Sequence, residues 1–328
     1  MRILVTGGAG YIGSHTVKAL INSGYKNIIV IDDLSSGYAK NVLKPAVLIK
    51  GDFGDENILS DVFKLKIDTV LHFAAFKSAP ESVINPIKYY ENNVSKSLLM
   101  LEKCLENGVK NFIFSSSAAV YGDVQSFPIT EEFETKPTNP YGWSKLFFEQ
   151  ILSDVSAATG LKHVSLRYFN AAGADPEGLL GANHAKGDDL ISRLMVESSE
   201  KGKFQIFGSD YETKDGTCIR DIVHVSDLAS AHVDALRYLV KGGGSEIINL
   251  GSESGYSIRE IVSITKEITG MDFDVVDAKR RPGDIVVSIA SSERAKEIIG
   301  WTRNFSDLET IIQTAWNWDK KASEPGHG

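Results

Sequence analysis

Tyr141 and Lys145 stand four residues apart in Tyr141-Gly142-Trp143-Ser144-Lys145, a spacing that puts a phenol and an ammonium on one face of a helix. A phenol with an ordinary pKa of about 10 is a poor base near neutral pH. A lysine charge beside it stabilises tyrosinate and makes proton removal from an alcohol feasible. Tyr-x-x-x-Lys alone also describes an ordinary exposed helix face, so its meaning depends on its surroundings. Pro140 directly precedes the pair, and Ser115-Ser116-Ser117 ends the run Asn111–Ser115, offering hydroxyls at the end of a strand. Together these residues form a proton-transfer set suited to a hydroxyl-bearing carbon.

A second set lies at the start of the chain. Gly8-Ala9-Gly10-Tyr11-Ile12-Gly13 matches the dinucleotide fingerprint, and Gly7 gives an overlapping G-x-x-G-x-x-G reading. Glycines here permit a tight turn, close approach of a pyrophosphate, and packing of helix on strand. Gly7, Gly10, Tyr11, Ile12 and Gly13 are therefore expected to border a cofactor. Glycine triplets also occur in plain turns, but this one follows a strand pattern, opens a helix pattern, and has Asp32 at the end of the next strand. Asp32 is placed to hold an adenosine ribose diol. Asp32 and Asp33 repel a 2′-phosphate and no arginine adjoins them, so the expected cofactor is NAD. Asp52 and Phe53, ending the third strand pattern, are expected to border the adenine.

The elements that must position these groups alternate. Arg2–Thr6, Asn27–Ile31, Ala46–Lys50, Thr69–Phe73, Asn111–Ser115 and Lys162–Tyr168 read as strands buried on both faces. Ile12–Ser23, Ile58–Leu65, Pro86–Asn107 and Tyr141–Ala157 carry helical spacing between them. Strand–helix alternation predicts an α/β fold with a doubly wound parallel sheet (Rossmann), whose strand carboxyl ends share one ligand-binding edge. After Asn170 the pattern loosens into a glycine-rich stretch, which sets the expected division: residues 1–171, then a smaller mixed α/β lobe, 172–328. In the second part Asp189–Glu200 and Ser226–Val240 read as helices, Glu246–Leu250 as a strand and Glu309–Lys320 as a closing helix, with a frayed tail over 322–328. Segments within about 222–250 are expected to rejoin the first sheet.

Composition narrows the classes. Hydrophobic residues at 42% and charged ones at 24% over 328 residues fit a folded globular chain. A net charge of −8 argues against a nucleic-acid partner. No apolar run is long enough to span a membrane. Cys104 and Cys218 are too few for a disulfide framework, which fits a reducing, cytoplasmic setting. The seven histidines are scattered without ligand spacing, so no metal is expected.

GGAGYIG, HFAAFKSAPES, FSSSAAVYG, NPYGWSK, RYFNAAGADP, DGTCIRDIVHVSDLA and RRPGD occur in that order, and the chain resembles the UDP-glucose 4-epimerase family, within the extended short-chain dehydrogenases/reductases, from the first strand to about Trp301. The resemblance implies reversible C4 epimerisation of a UDP-hexose, UDP-glucose/UDP-galactose or their N-acetylated counterparts, through a 4-keto sugar and bound NADH. It makes Tyr141 the base, Lys145 its electrostatic partner and a nicotinamide-ribose ligand, and Ser117 the hydroxyl on the substrate O4; Ser116 is the alternative. Phe73, Ala74, Ala75, Lys77, Asn92, Ser115 and Tyr168 are implied to touch the cofactor. Asn170 and, in the second lobe, then the substrate lobe, Arg220, Arg281 and Asp284 are implied to hold the uridine diphosphate, with Leu190, Gln205 and Phe207 around the uracil. Arginine forks suit diphosphate oxygens. A homodimer is also implied, through helices in 86–107 and 141–157.

Two departures stand out. Asp189 occupies a position where relatives carry asparagine or histidine, placing a carboxylate near the diphosphate. Ser288 stands where some relatives have tyrosine, leaving volume near the hexose for an N-acetyl group. Rival readings are a dehydratase of the same fold, which Ala118 and Ala119 disfavour because neither can act as acid or base, an NAD-coupled dehydrogenase or reductase, and a non-catalytic NAD-binding sensor.

Overall fold

The computed structural model describes residues 1–124, 126–182, 189–281 and 284–322; the expected tail past Ala322 and the centre of the glycine-rich stretch lie outside the described residues. Six strands, β1 (Ile3–Thr6), β2 (Ile28–Asp32), β3 (Val47–Lys50), β4 (Thr69–His72), β5 (Asn111–Ser115) and β6 (Lys162–Tyr168), pair in parallel in the order β6-β5-β4-β1-β2-β3. Four of them, β1, β2, β4 and β5, are buried along nearly their whole length, as their continuous apolar sequences require of a sheet covered on both faces.

The covering helices of this half are α1 (Tyr11–Asn22), α2 (Glu56–Phe63), α3 (Ala79–Ile84), α4 (Pro86–Tyr90), α5 (Lys96–Glu106) and α6 (Pro140–Thr159). The stretch Pro86–Asn107, expected as one helix, is broken: a π-helical turn over Glu91–Ser95 separates α4 from α5. The wider turn contains Asn92 and Asn93, the latter buried.

The chain then forms β7 (Asn170–Ala172), α7 (Leu190–Lys201), β8 (Lys203–Phe207), β9 (Ile219–His224), α8 (Val225–Val240) and β10 (Glu246–Leu250). β10 pairs in parallel with β6 and makes the first sheet seven-stranded. One apolar core joins α1 and α8 to the sheet through Val17, Leu20, Leu228 and Leu236; the other holds Leu59, Met100, Leu101, Phe148 and Leu152 against the opposite face. The remaining elements are β11 (Gly255–Ser257), α9 (Ile258–Thr269), β12 (Asp274–Ala278), β13 (Val287–Ser288) and α10 (Leu308–Ala322). β7, β9, β11 and β13 make a second, mixed sheet, and β8 pairs with β12. A third core, including Leu194, Phe204, Ile261 and Ile311, unites α7, α9 and α10.

The interior holds neutral histidines. His72 bridges Thr6 Oγ1 at 2.6 Å and Ser97 Oγ at 2.9 Å. His15 and His232 each donate from Nδ1 to a carbonyl one turn earlier, Tyr11 at 2.8 Å and Leu228 at 2.7 Å. Burial holds His15, His163 and His232 down at about 4, and His72 and His224 at about 3. Since these folded-state values lie below the ordinary value of about 6.5, the unfolded chain binds more protons below that pH. Stability therefore falls as pH drops through the window from about 6.5 toward 4. Thermal melts at about pH 7.5 and about pH 5 are expected to show a clearly lower Tm in acid; an unchanged Tm contradicts the buried neutral histidines.

Candidate active site

The loop from β1 to α1 is a cradle made of backbone. Gly7 has φ +70°, and a Cβ there would lie 2.7 Å from the Ala74 nitrogen; a Cβ at Gly13 would lie 2.2 Å from the Gly7 oxygen. Neither contact is possible for a real side chain, so the loop, the first turn of α1 and the segment after β4 approach as backbone only. Asp32 Oδ2 accepts from Ala9 N and Oδ1 from Leu34 N, each at 2.9 Å. Burial raises the Asp32 pKa, and the backbone N–H bonds act against that rise. Asn41, absent from the sequence reading, donates to the Ala9 oxygen at 3.1 Å and holds the same loop from the other side.

The cradle opens into a cavity of about 1140 Å³. That exceeds the range of about 300–1,000 Å³ usual for a single small ligand and leaves room for two. Gly7, Gly10, Tyr11, Ile12, Gly13, Asp32, Asp52 and Phe53 line it, as do Phe73, Ala74, Ala75, Lys77, Asn92, Ser115 and Tyr168. The glycine cradle, the fixed carboxylate and the absence of a Cβ where a pyrophosphate would approach all fit a dinucleotide. Asp52 pairs with Lys96 and accepts from Gly54 N. Asn92 donates to Asn93 Oδ1 at 3.0 Å. Asn93 in turn clasps both backbone groups of Phe76 at 2.9 Å and donates to Ser144 Oγ at 3.1 Å, tying the β4 segment to α6. Asn93 was absent from the sequence reading, which named only its neighbour Asn92.

α6 starts sharply because Asn139 accepts from Gly142 N at 2.9 Å and Pro140 occupies the first turn. Tyr141 and Lys145 then face the cavity one turn apart. Lys145 Nζ donates to the Ser115 carbonyl at 2.8 Å and lies 4.9 Å from the Phe114 ring centroid and 5.9 Å from that of Tyr141. Ser117 lies near enough to the Tyr141 phenol to act against the rise in its pKa, and its hydroxyl accepts from Ala119 N at 3.1 Å. Ser116 points elsewhere, donating to buried Glu149.

The electrostatics differ from the sequence expectation. Burial raises the Tyr141 pKa, and the Ser117 hydrogen bond is the opposing effect. Burial also pushes Lys145 down to about 7, with Glu149 pulling it back up. The same apolar wall that excludes water from the phenol penalises the ammonium meant to assist it, so in the protein alone the phenol is not lowered.

At the far end, Asn170, Asp189, Leu190, Phe207, Arg220, Arg281 and Asp284 line the cavity. Arg220 and Arg281 converge on Asp284 at 3.8 and 3.5 Å, and Arg281 lies 4.1 Å over the Phe207 ring. Asn170 donates to the Asp221 carbonyl at 2.9 Å. Asp189 caps α7, accepting from Ser192 N at 3.0 Å and Ser192 Oγ at 2.5 Å; its carboxylate has a structural task. Three expected residues, Ser117, Gln205 and Ser288, stand off the wall. Gln205 is exposed because strand alternation turns its neighbours Phe204 and Ile206 inward. Ser288 sits half-buried on β13 opposite Arg220 of β9. Conversely, Arg193, Cys218 and Trp318 border the cavity without having been expected.

Comparison with known proteins agrees with this arrangement. The profile described as the NAD dependent epimerase/dehydratase family matches residues 3–251. The chain is 47% identical over 323 residues to a UDP-glucose 4-epimerase of Halalkalibacterium halodurans, covering 98% of this chain and 96% of the relative. It is similar to the crystal structure of the UDP-glucose 4-epimerase from Brucella ovis in complex with NAD, with a TM-score of 0.92, 43% identity, and coverage of 96% and 97% of the two chains. The UDP-Glc/GlcNAc 4-epimerase of Campylobacter jejuni gives a TM-score of 0.85 at 40% identity, with coverage of 98% and 99%.

The cradle makes a direct prediction. Gly13→Ala must displace the Gly7 carbonyl, so dinucleotide affinity is expected to fall at least about tenfold, a change of about 1.4 kcal/mol. Titration with the dinucleotide, followed by fluorescence, measures it; undiminished affinity contradicts the close backbone approach.

Proposed function

The chain belongs to the NAD dependent epimerase/dehydratase family, and from that premise we propose that Tyr141, Ser117 and Lys145 carry out its reaction, the reversible inversion of C4 in a UDP-hexose. The observation that carries this reading is the Tyr141–Lys145 pair on the wall of one cavity that the glycine cradle, Arg220 and Arg281 also line, with Ser117 close to the phenol. Gly7, Gly10, Gly13 and Asp32 would hold NAD at one end, and Asn170, Arg220, Arg281 and Asp284 the uridine diphosphate at the other. When bound, NAD supplies the acceptor for the hydrogen leaving C4, which returns to the other face of the 4-keto sugar, and a positive ring charge that favours tyrosinate.

Tyr141 takes the O4 proton through its phenol oxygen and gives it back at the end of the cycle. Ser117 shares that proton and orients the phenol. Lys145, held by the Ser115 carbonyl, fixes the helix face and contributes charge as the site fills. The paired arginines anchor the diphosphate while the hexose beyond it stays free to turn. Ala118 and Ala119 follow Ser117 with no acid or base to eliminate water, which supports epimerisation over dehydration.

Three finer points belong to the same proposal. Residues 1–171 and 172–328 act as cofactor and substrate lobes, with 222–250 contributing to the first sheet. The chain works as a homodimer: Val83, Ile84, Ile87 and Phe147 are exposed on α3, α4 and α6, Ile87 at 74%, and such a patch favours an isologous contact. Its setting is cytoplasmic, consistent with two free cysteines and no helix among the described residues long and apolar enough to cross a membrane. The small side chain at Ser288 leaves the sugar end open for UDP-N-acetylhexosamines as well as UDP-galactose.

Tyr141→Phe is expected to lower kcat by at least about 10²-fold with NAD binding retained; near-normal turnover of UDP-galactose by that variant returns the site to a non-catalytic role. The wild type should yield the glucose epimer without accumulating NADH, whereas net NADH production indicates a dehydrogenase. The ratio of rates on UDP-N-acetylgalactosamine and UDP-galactose decides the sugar range, and no measurable turnover of the former removes the role given to Ser288. Ile87→Glu should convert a dimer to monomers in sedimentation; a wild type already monomeric removes the interface.

A further inference from the structure

After β7 the chain runs over 173–182 between α1 and α10. Tyr11, the first residue of α1, donates from its phenol to the Gly173 carbonyl at 2.5 Å. Two turns along the same helix, Lys18 Nζ meets Asp175 Oδ1 at 2.5 Å and Glu177 Oε2 at 2.8 Å. From α10, Thr314 Oγ1 accepts from Ala174 N at 3.2 Å, Lys321 Nζ donates to the Gly178 carbonyl at 2.7 Å, and Trp318 Nε1 donates to that of Ala182 at 3.0 Å. Gly181 lies against the Trp318 indole, where a Cβ would come within 2.3 Å of the ring. Tyr11, Gly181, Ala182 and Trp318 all line the cavity, so this segment walls it beside the helix whose first turn belongs to the glycine cradle. Between its anchors it is loosely packed: Pro176, Glu177 and Leu179 are exposed, and a separate space of about 360 Å³ is bounded by Pro176, Ala19 of α1 and Val233 of α8. Polar contacts hold much of the segment, and a stretch of that kind opens at lower cost than the sheet it crosses.

We propose that 173–182 is a strap that must lift from α1 before a dinucleotide in the cradle can leave, and that the Lys18–Asp175 pair is its clasp. The inference rests on the NAD reading above and adds a control on cofactor release. The clasp is largely buried, the Lys18 side chain being 12% exposed and that of Asp175 5%. Desolvation offsets most of the attraction in such a pair. Both charges regain water when the strap lifts, so the clasp holds the closed state without making opening prohibitive. Removing the lysine alone has a larger effect. Asp175 is then an uncompensated carboxylate in the closed state, with Leu179 N at 3.0 Å as a neutral donor, and closure loses its advantage. Lys18 does not line the cavity, so a change there reaches the dinucleotide through the strap.

Full-length protein loaded with NADH and mixed with excess NAD reports the release rate as the fluorescence of bound NADH decays, and calorimetric titration with UDP is the control at the other end of the cavity. Lys18→Met keeps the aliphatic stem and should speed NADH release about tenfold or more, while UDP affinity stays within about twofold. Lys321→Met removes only the bond to the Gly178 carbonyl and should speed release about two- to threefold; it carries the test if thermal melting shows Lys18→Met to be unfolded. An unchanged release rate in the folded variant overturns the strap. So does a loss of UDP affinity as large as the gain in release rate, which points to a general loosening of the fold. Wild-type protein that binds no NADH overturns the NAD reading and this inference with it, whereas NADH that binds and leaves at a rate these lysines do not control overturns the inference alone.

Discussion

The bond from Lys145 Nζ to the Ser115 carbonyl, 2.8 Å long and buried, ties α6 to the carboxyl end of β5 at the point where the two halves of the site meet. An ammonium in such a place needs an acceptor. The last carbonyl of a parallel strand supplies one, because it falls past the end of its ladder. Once that bond is made, the phase of α6 is fixed. Tyr141, one turn earlier, must then face the cavity, and Ser117, two residues beyond the carbonyl, lies beside the phenol.

Behind this bond lies a buried polar network. Arg167 on β6 donates to Glu149 from Nη2 at 2.6 Å and to Tyr121 Oη from Nη1 at 2.9 Å, while Glu149 also takes the Ser116 hydroxyl. Glu149 is one turn past Lys145 and is what raises the lysine against burial. A buried ion pair is weak evidence for net stability, since desolvation offsets most of the attraction. Its geometry here has another effect. Ser116 is drawn inward, and the alternating backbone then turns Ser117 out to the phenol; Arg167 sits next to Tyr168, whose hydroxyl bonds Ser115. Ser116 and Arg167 are thus bonded to one carboxylate, which also acts on Lys145.

Much of this was legible in the sequence where local pattern determines structure. Asn111–Ser115, Lys162–Tyr168 and Glu246–Leu250 form strands at the expected bounds, because short apolar runs bounded by polar residues leave a doubly covered strand as the consistent solution. The return of Glu246–Leu250 to the first sheet was also readable. Pro86–Asn107 was not: its helical spacing is real, but the extra residue in the π-helical turn leaves no signature in residue type. Gln205 and Ser288 show a different limit. Resemblance locates a position in a chain, whereas the direction of a side chain depends on strand phase.

The electrostatic expectation failed for a reason that clarifies the site. Helical spacing brings phenol and ammonium together, yet proximity lowers a phenol's pKa only where the cation keeps its charge. Burial withdraws solvent from both groups at once, raising Tyr141 and holding Lys145 at about 7, with the Phe114 ring 4.9 Å from Lys145 Nζ. A dry proton-transfer site of this kind is poorly charged until other charges enter it. The protein side therefore supplies position, in the fixed helix phase and the Ser117 contact, while the balance of charge is left to the ligands that fill the cavity. The chain itself favours the protonated phenol, the state from which the proton is returned, and leaves the opposite state to the ligands.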